Sequence, residues 1–317
     1  MLGNIDEYIE STKKILRFLE ELKGKEDRID VILNKVENQL KEVIPPTNKI
    51  YPDKIKSDVQ ETNLVSDGFT ELKSLLETWP TAVPEEDICE LNEKGKLERA
   101  ENISDHLIHT HLEGLKFLDF GCGDGYINKF VENQKPAINI GYDIKKQGEL
   151  WDTNLNLTTD WDKVVDNAPY DVVLLNDVLD HLENDTIRNV LEKIKKVMVK
   201  TTELSVRVHP FSGRHSGHLY REFNKAYAHF IFTENELNEM GYKMIPNQQI
   251  IFPRQYREIF REVKLFVKKE YVHRTNVDSF FYTHEAIQNR IYERWGIKQL
   301  PTKRMEVGFI DFILSLF

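Results

Sequence analysis

The chain has 317 residues and a formal net charge of −10, which argues against non-specific attraction to nucleic acid or an anionic membrane. A 40% hydrophobic and 30% charged composition is that of a soluble globular protein, long enough for one α/β domain with an accessory region. Two cysteines, Cys89 and Cys122, exclude a disulfide scaffold and a cysteine-rich zinc site.

No apolar run approaches membrane-spanning length, and the first residues lack a signal-peptide pattern. A cytoplasmic location and no membrane partner are therefore expected. Residues 3–44 have helical apolar spacing, interrupted at Gly24 and stopped by Pro45 and Pro46. They are expected to cap the main domain, with a homo-oligomer or partner contact as the alternative. Residues 47–63 are polar and lysine-rich and read as a surface loop. A helix follows with Phe69, Leu72, Leu75 and Leu76. Residues 85–112 read as mostly helical, with Leu97, Ile103, Leu107, Ile108 and Leu112 inward, and they lead into the next strand.

From residue 115 strands and helices alternate, which predicts a parallel sheet with crossover helices. The strands are expected at 115–120, 137–143, near 154–157, at 170–176 and at 203–208. A helix over 184–199 carries Ile187, Val190, Leu191, Ile194, Val197 and Met198 on one side. Thr233 with Glu236 three residues later matches a capping box, and that helix ends at Gly241. Residues 243–252 and 262–267 read as late antiparallel strands. Residues 279–295 read as helix. Residues 305–316 form an apolar strand or helix that must be buried.

The stretch at 115–126 organises the rest. A short apolar strand ends in Asp119 and turns through Gly121, Gly123 and Gly125 into a helix. The glycines relieve the steric limit on φ and let a ligand approach the backbone, beside free N–H groups at the helix start. Asp143 ends the next strand, 18 residues after Gly125, where a carboxylate can accept from ribose hydroxyls. Asp160 and Trp161 follow the third strand. There, a carboxylate can accept from an adenine amino group while the indole covers the ring; alternatively, Asp160 caps a helix and Trp161 is core. Asn176, Asp177 and His181 follow the fourth strand.

Leu118–Gly125 resembles the first motif of class I S-adenosylmethionine-dependent methyltransferases. Gly141–Asp143 resembles their second motif, and Tyr170–Leu182 their fourth. Phe232–Tyr242 resembles the helix and glycine that precede their last strand pair. The resemblance spans 100–270. It implies a Rossmann-like α/β sheet with helices on both faces, a helical N-terminal region over 1–99 and a C-terminal extension over 271–317. It also implies S-adenosylmethionine as cofactor. The glycine turn would lie under its methionine part with Asp119 near the amino group. Asp143 would bind the ribose, Asp160 and Trp161 would frame the adenine, and Asn176 and Asp177 would lie near the sulfonium. A nicotinamide enzyme is disfavoured because the spacing is Gly-x-Gly-x-Gly and not Gly-x-Gly-x-x-Gly.

The acceptor side is expected in the loop after the fifth strand, residues 207–229. Arg207, Arg214, Arg221 and Lys225 face one carboxylate there, Glu222. This predicts an anionic acceptor bearing phosphate or carboxylate, bound by Arg207, Arg214, His215, His218 and Arg221. Gly213 and Gly217 are expected to let the loop close. His209 is the first candidate for a neutral general base, with His181 and Tyr220 as further candidates. His209, His215, His218 and His229 invite a metal, but no run of acidic ligands stands beside them, and no metal is expected. No Asn/Asp-Pro-Pro-Tyr/Phe follows the fourth strand, which lowers DNA-base chemistry. An RNA or nucleotide methyltransferase of capping type is one alternative. A non-catalytic interaction module on the same fold is the other.

Overall fold

The computed structural model describes residues 68–85, 92–243, 252–300 and 302–317. All of these belong to one compact unit that spans 63–317. The helices expected over 3–44, the loop at 47–63 and most of the strand expected at 243–252 lie outside the described residues.

Apolar spacing and local capping explain the first two helices. In α1 (Phe69–Ser74), Phe69 and Leu72 are buried. In α2 (Glu93–Leu107) the side chain of Asn92 accepts the Gly95 N–H at 2.9 Å, which satisfies one of the free donors of the first turn. The sheet begins with β1 (Lys116–Phe120). Then come α3 (Tyr126–Val131), β2 (Ile138–Tyr142), β3 (Leu157–Thr158), α4 (Trp161–Asp166) and β4 (Val172–Asn176). Next follow α5 (Asn184–Lys195), β5 (Glu203–Val208), α6 (Ala228–Ile231) and α7 (Glu234–Glu239). The chain closes with α8 (Pro253–Glu262), β6 (Leu265–Arg274), α9 (Phe280–Thr283), α10 (Glu285–Trp295) and β7 (Val307–Leu316).

The seven strands form one sheet in the order β3-β2-β1-β4-β5-β7-β6. Strands β1 to β5 are parallel, and β7 runs antiparallel between β5 and β6. The order reverses between β1 and β4, with Phe117 opposite Val172 and Asp119 opposite Leu174. At such a switch point the loops leave in opposite directions and open a crevice at the carboxyl ends of the strands.

Both faces of the sheet are covered. Leu118, Phe120, Val173, Leu175 and Val206 pack with Ile187, Leu191 and Ile194 of α5 and with Tyr256, Ile259 and Phe260 of α8. Phe117, Val172 and Leu174 pack on the other face with Ile103 and Leu107 of α2 and Val131 of α3. Near-continuous apolar strands are what a doubly covered parallel sheet requires. A third cluster joins α1 to the loop after β5 and to α10, through Leu72, Trp79, Phe211, Leu219, Phe230 and Ile291.

Two expectations need correction. Residue 262 ends a helix, and the strand begins at Leu265. Pro253 opens that helix, and Tyr256, Ile259 and Phe260 recur at helical spacing on its buried side. The segment 271–317 is also more than an extension. Its last strand, β7, pairs with β5 through Leu204–Leu314 to Val208–Ile310 and completes the sheet. The boundary expected at 270 therefore cuts through β6.

The capping box is formed: Thr233 N–H donates to Glu236 Oε2 at 2.9 Å and Glu236 N–H to Thr233 Oγ1 at 3.2 Å. Glu236 is buried and also accepts from Arg290 at 2.7 and 2.8 Å, tying α7 to α10. Among the described residues no helix is long and apolar enough to cross a membrane.

Candidate active site and cofactor cradle

The turn after β1 is shaped by three positive φ angles, +81° at Gly121, +54° at Gly123 and +84° at Gly125. Gly121 N–H and Cys122 N–H both donate to the Tyr142 carbonyl, at 2.7 and 3.1 Å. This fastens the turn over the end of β2. A Cβ on Gly121 would stand 2.4 Å from Val178 Cγ2, and one on Gly125 would stand 2.6 Å from Leu157 Cδ1. A Cβ on Gly123 meets nothing within 4 Å, so the middle of the turn opens on free space.

Asp143 is buried beside this turn. Its Oδ2 accepts the Gly123 N–H at 2.9 Å and a Gln147 N–H at 3.3 Å. Trp151, which the sequence reading missed, donates from Nε1 to the Gly123 carbonyl at 2.8 Å and pins the turn from the other side. Ile144, next to Asp143, is a large apolar side chain left 82% exposed. An exposed isoleucine directly after a ribose-type carboxylate was a readable signal for a flat apolar ligand face.

Asp119 is buried and its Oδ2 has no hydrogen-bond partner. Burial first, then the nearby charges of Asp143 and Asp124, push its carboxyl up to about 8. The Oδ1 atom of Asn176 is also buried without a partner. A strand register that sets Asp119 opposite Leu174 puts Asn176 two residues beyond, on the same face. Buried acceptors left without donors at a strand switch point are what a ligand would complete.

Asp177 sits just past β4 with φ of +54°, a conformation that few side chains adopt and that asparagine and aspartate tolerate best. Its Oδ1 lies 3.1 Å from His209 Nε2, and its Oδ2 lies 3.8 Å from an Arg99 nitrogen. Burial alone would raise the Asp177 carboxyl, but His209, Arg99 and Arg207 outweigh it and hold it well below the usual carboxylate range. Burial likewise opposes charge on His209, and Asp177 and Asp180 overcome that and raise its imidazole above the ordinary value. The neutral base expected at His209 thus faces a carboxylate that favours the protonated imidazole. The neutral imidazoles are His215 and His218, each pushed down to about 4, by burial first and by neighbouring histidines next.

The loop after β5 brings these groups together. Ring contacts run from His209 to His215 (5.4 Å), on to Tyr220 (6.1 Å), then His218 (6.2 Å) and His181 (4.7 Å). His209, His215, His218, Tyr220 and His181 are thus neighbours, although they span 40 residues of sequence.

Other expected roles shift. Arg207 is buried and gives two hydrogen bonds of 2.7 Å to Asp311 of β7, with Phe309 under its guanidinium. Arg214 is bonded to Asp278 and to the carbonyls of Ala82 and Thr81. Lys225 donates to the carbonyl of Leu76 at 2.7 Å. These three cations hold the loop to the body of the protein and leave Arg221 as the exposed one of the four. His229 is buried, bonded at 2.8 Å to the Phe211 carbonyl and pushed down to about 3 by burial, so it is a structural histidine. Gly213 is no hinge, because a Cβ there would stand 2.7 Å from Ser216 Oγ and 3.0 Å from the Val307 carbonyl. Asp160 caps α4, its Oδ1 accepting the Asp162 N–H at 3.0 Å. Trp161 packs edge-on against Phe120 and Tyr142, and the Lys193 ammonium lies 4.1 Å from its ring centre. Trp161 is half-buried and packs against the core, and Ile144 is the more open apolar surface near Asp143.

Residues 90–244 match the family model described as a methyltransferase domain. The glycine turn and Asp143 lie within that match. The matched segment is similar to methyltransferase domains. No curated protein matches it. Solved structures similar to this chain include an S-adenosylmethionine-dependent methyltransferase from Archaeoglobus fulgidus, 14% identical over 70% of this chain and 95% of that one, with a TM-score of 0.44. Another is from Mesorhizobium loti, 10% identical over 69% and 99%, with a TM-score of 0.41. A third is the magnesium protoporphyrin IX methyltransferase of Synechocystis PCC 6803, 14% identical over 81% and 100%, with a TM-score of 0.40.

The residues around the glycine turn fit S-adenosylmethionine. The turn opens at Gly123, while Asp119 and Asn176 keep acceptors without donors. S-adenosylmethionine, when bound, supplies an electrophilic methyl group.

Proposed function

We propose that the chain transfers a methyl group to an oxygen or nitrogen of a small-molecule acceptor held beneath the loop after β5. The observation that carries this reading is the Asp177–His209 pair, which stands past the ends of β4 and β5 under a loop lined by imidazoles.

In this reading Asp119 and the Gly121–Gly125 turn hold the methionine part of the cofactor, Asp143 the ribose and Asn176 the region of the sulfonium. Ile144 supplies the apolar face for the adenine. Methyl transfer needs in-line alignment above all. His209, held by Asp177, donates a hydrogen bond that orients the acceptor atom. The neutral His215 is the group able to accept its proton. Arg221 is the exposed cation left to meet a phosphate or carboxylate on the acceptor.

A polymer acceptor is less well supported. Arg254 is paired with Glu258, Arg257 with Glu270 and Arg188 with Glu262, so the surface around α8 and β6 is not a continuous basic face. The test is transfer of labelled methyl from S-adenosylmethionine to a panel of small hydroxyl- and amine-bearing compounds, with and without terminal phosphate or carboxylate. His209→Ala is expected to lower transfer by about a hundredfold. Transfer to RNA, with none to any small molecule, would overturn the proposal.

A further inference from the structure

Asp180, His181 and His218 each bring one potential ligand atom to a common point, all within 4.8 Å of one another. Asp180 and His181 lie in the 3₁₀ turn Leu179–His181 that follows β4, and His218 lies in the 3₁₀ turn Ser216–Arg221 after β5. Two separate loops therefore build the cluster. The His181 and His218 rings stack at 4.7 Å with 19° between their planes.

Asp180 is the independent observation. It is only 2% exposed, and neither oxygen of its carboxyl has a hydrogen-bond partner on another residue. Among the described residues no lysine or arginine is ion-paired with it. A buried carboxyl with no hydrogen-bond donor is costly unless something completes it. One of its oxygens lies within 4.8 Å of a ring nitrogen of each imidazole.

We propose that Asp180, His181 and His218 bind a first-row divalent cation of the zinc or manganese type. Two imidazoles and one carboxylate are the mixed donors that suit such ions better than calcium or magnesium. Ligand atoms about 2.1 Å from a tetrahedral ion stand about 3.4 Å apart, so the cluster must close by roughly an ångström, which side-chain rotation supplies. Three protein ligands leave coordination positions open to water or to an oxygen of a bound molecule. This revises the expectation that the histidines of this loop bind no metal. The missing acidic ligand comes from the turn after β4.

The proposal goes beyond the methyl-transfer reading and does not rest on it, because the metal alone is the probe. The untagged full chain is titrated with Co²⁺ and followed by visible absorbance, with Zn²⁺ bound per chain measured by equilibrium dialysis. One ion per chain and a d–d band are expected. Asp180→Asn and His218→Gln, each confirmed as folded by circular dichroism, are expected to weaken binding at least tenfold. If Asp180→Asn does not fold, His218→Gln, at a half-buried position, carries the test. Failure of the wild-type chain to bind one ion, or equal affinity in wild type and His218→Gln, would overturn the proposal and leave methyl transfer untouched.

Discussion

Asp119 gives the most specific quantitative prediction. Its carboxyl is 1% exposed and pushed up to about 8 by burial and by the charges of Asp143 and Asp124. At pH 7 a group with that value holds its proton in about nine molecules of ten. The cofactor's ammonium, set beside it as the family resemblance implies, favours the ionised form. Binding should then release about 0.9 proton per chain at pH 7 and about 0.5 at pH 8. Calorimetry in two buffers of different ionisation enthalpy at one pH counts those protons. Asp119→Asn keeps the shape, cannot ionise and should release none. The free chain carries the same signature with a definite sign. Unfolding lets the carboxyl ionise from about pH 4, while the folded chain holds the proton to about 8. Stability therefore falls with rising pH across that window, and Asp119→Asn flattens the slope. Equal proton counts for wild type and Asp119→Asn would refute the reasoning.

Three more outcomes follow from contacts described above. Asp143→Ala removes the acceptor of the Gly123 N–H and should weaken S-adenosylmethionine binding by about an order of magnitude or more, read by calorimetry; an unchanged affinity would contradict the ribose role. Arg207→Ala leaves Asp311 buried with only His273, 3.0 Å away, and should cost about 3 kcal/mol in urea denaturation; a loss near zero would mean the pair is not structural. The stability gained from the His209–Asp177 pair, measured as wild type minus His209→Asn, should be largest between the ordinary carboxylate and histidine ranges. The raised His209 value makes this gain fade as pH climbs through it, and the lowered Asp177 value makes it fade in acid. A difference that does not change with pH would exclude an ion pair.

The sheet was readable because its signals are local. The apolar runs before Asp119 and Asn176, the three glycines and the Thr233–Glu236 box each act within a few residues. The place of β7 was not readable, since insertion between β5 and β6 is decided by pairing with residues about a hundred positions earlier. The same holds for the cations after β5. Arg207 and Arg214 look like ligand-binding groups until Asp311 and Asp278 are brought beside them. Charge in a sequence window does not reveal partners that fold in from elsewhere. The histidines stand out in the sequence, but the charges and burial around them come from Asp177 and other residues that only the fold brings near.

The central claim is tested most directly by equilibrium binding of S-adenosylmethionine to the full chain, with S-adenosylhomocysteine as competitor. The account predicts saturable one-to-one binding, competed by S-adenosylhomocysteine and weakened in Asp143→Ala. No binding at about 1 mM cofactor, where even a weak site would fill, would contradict it.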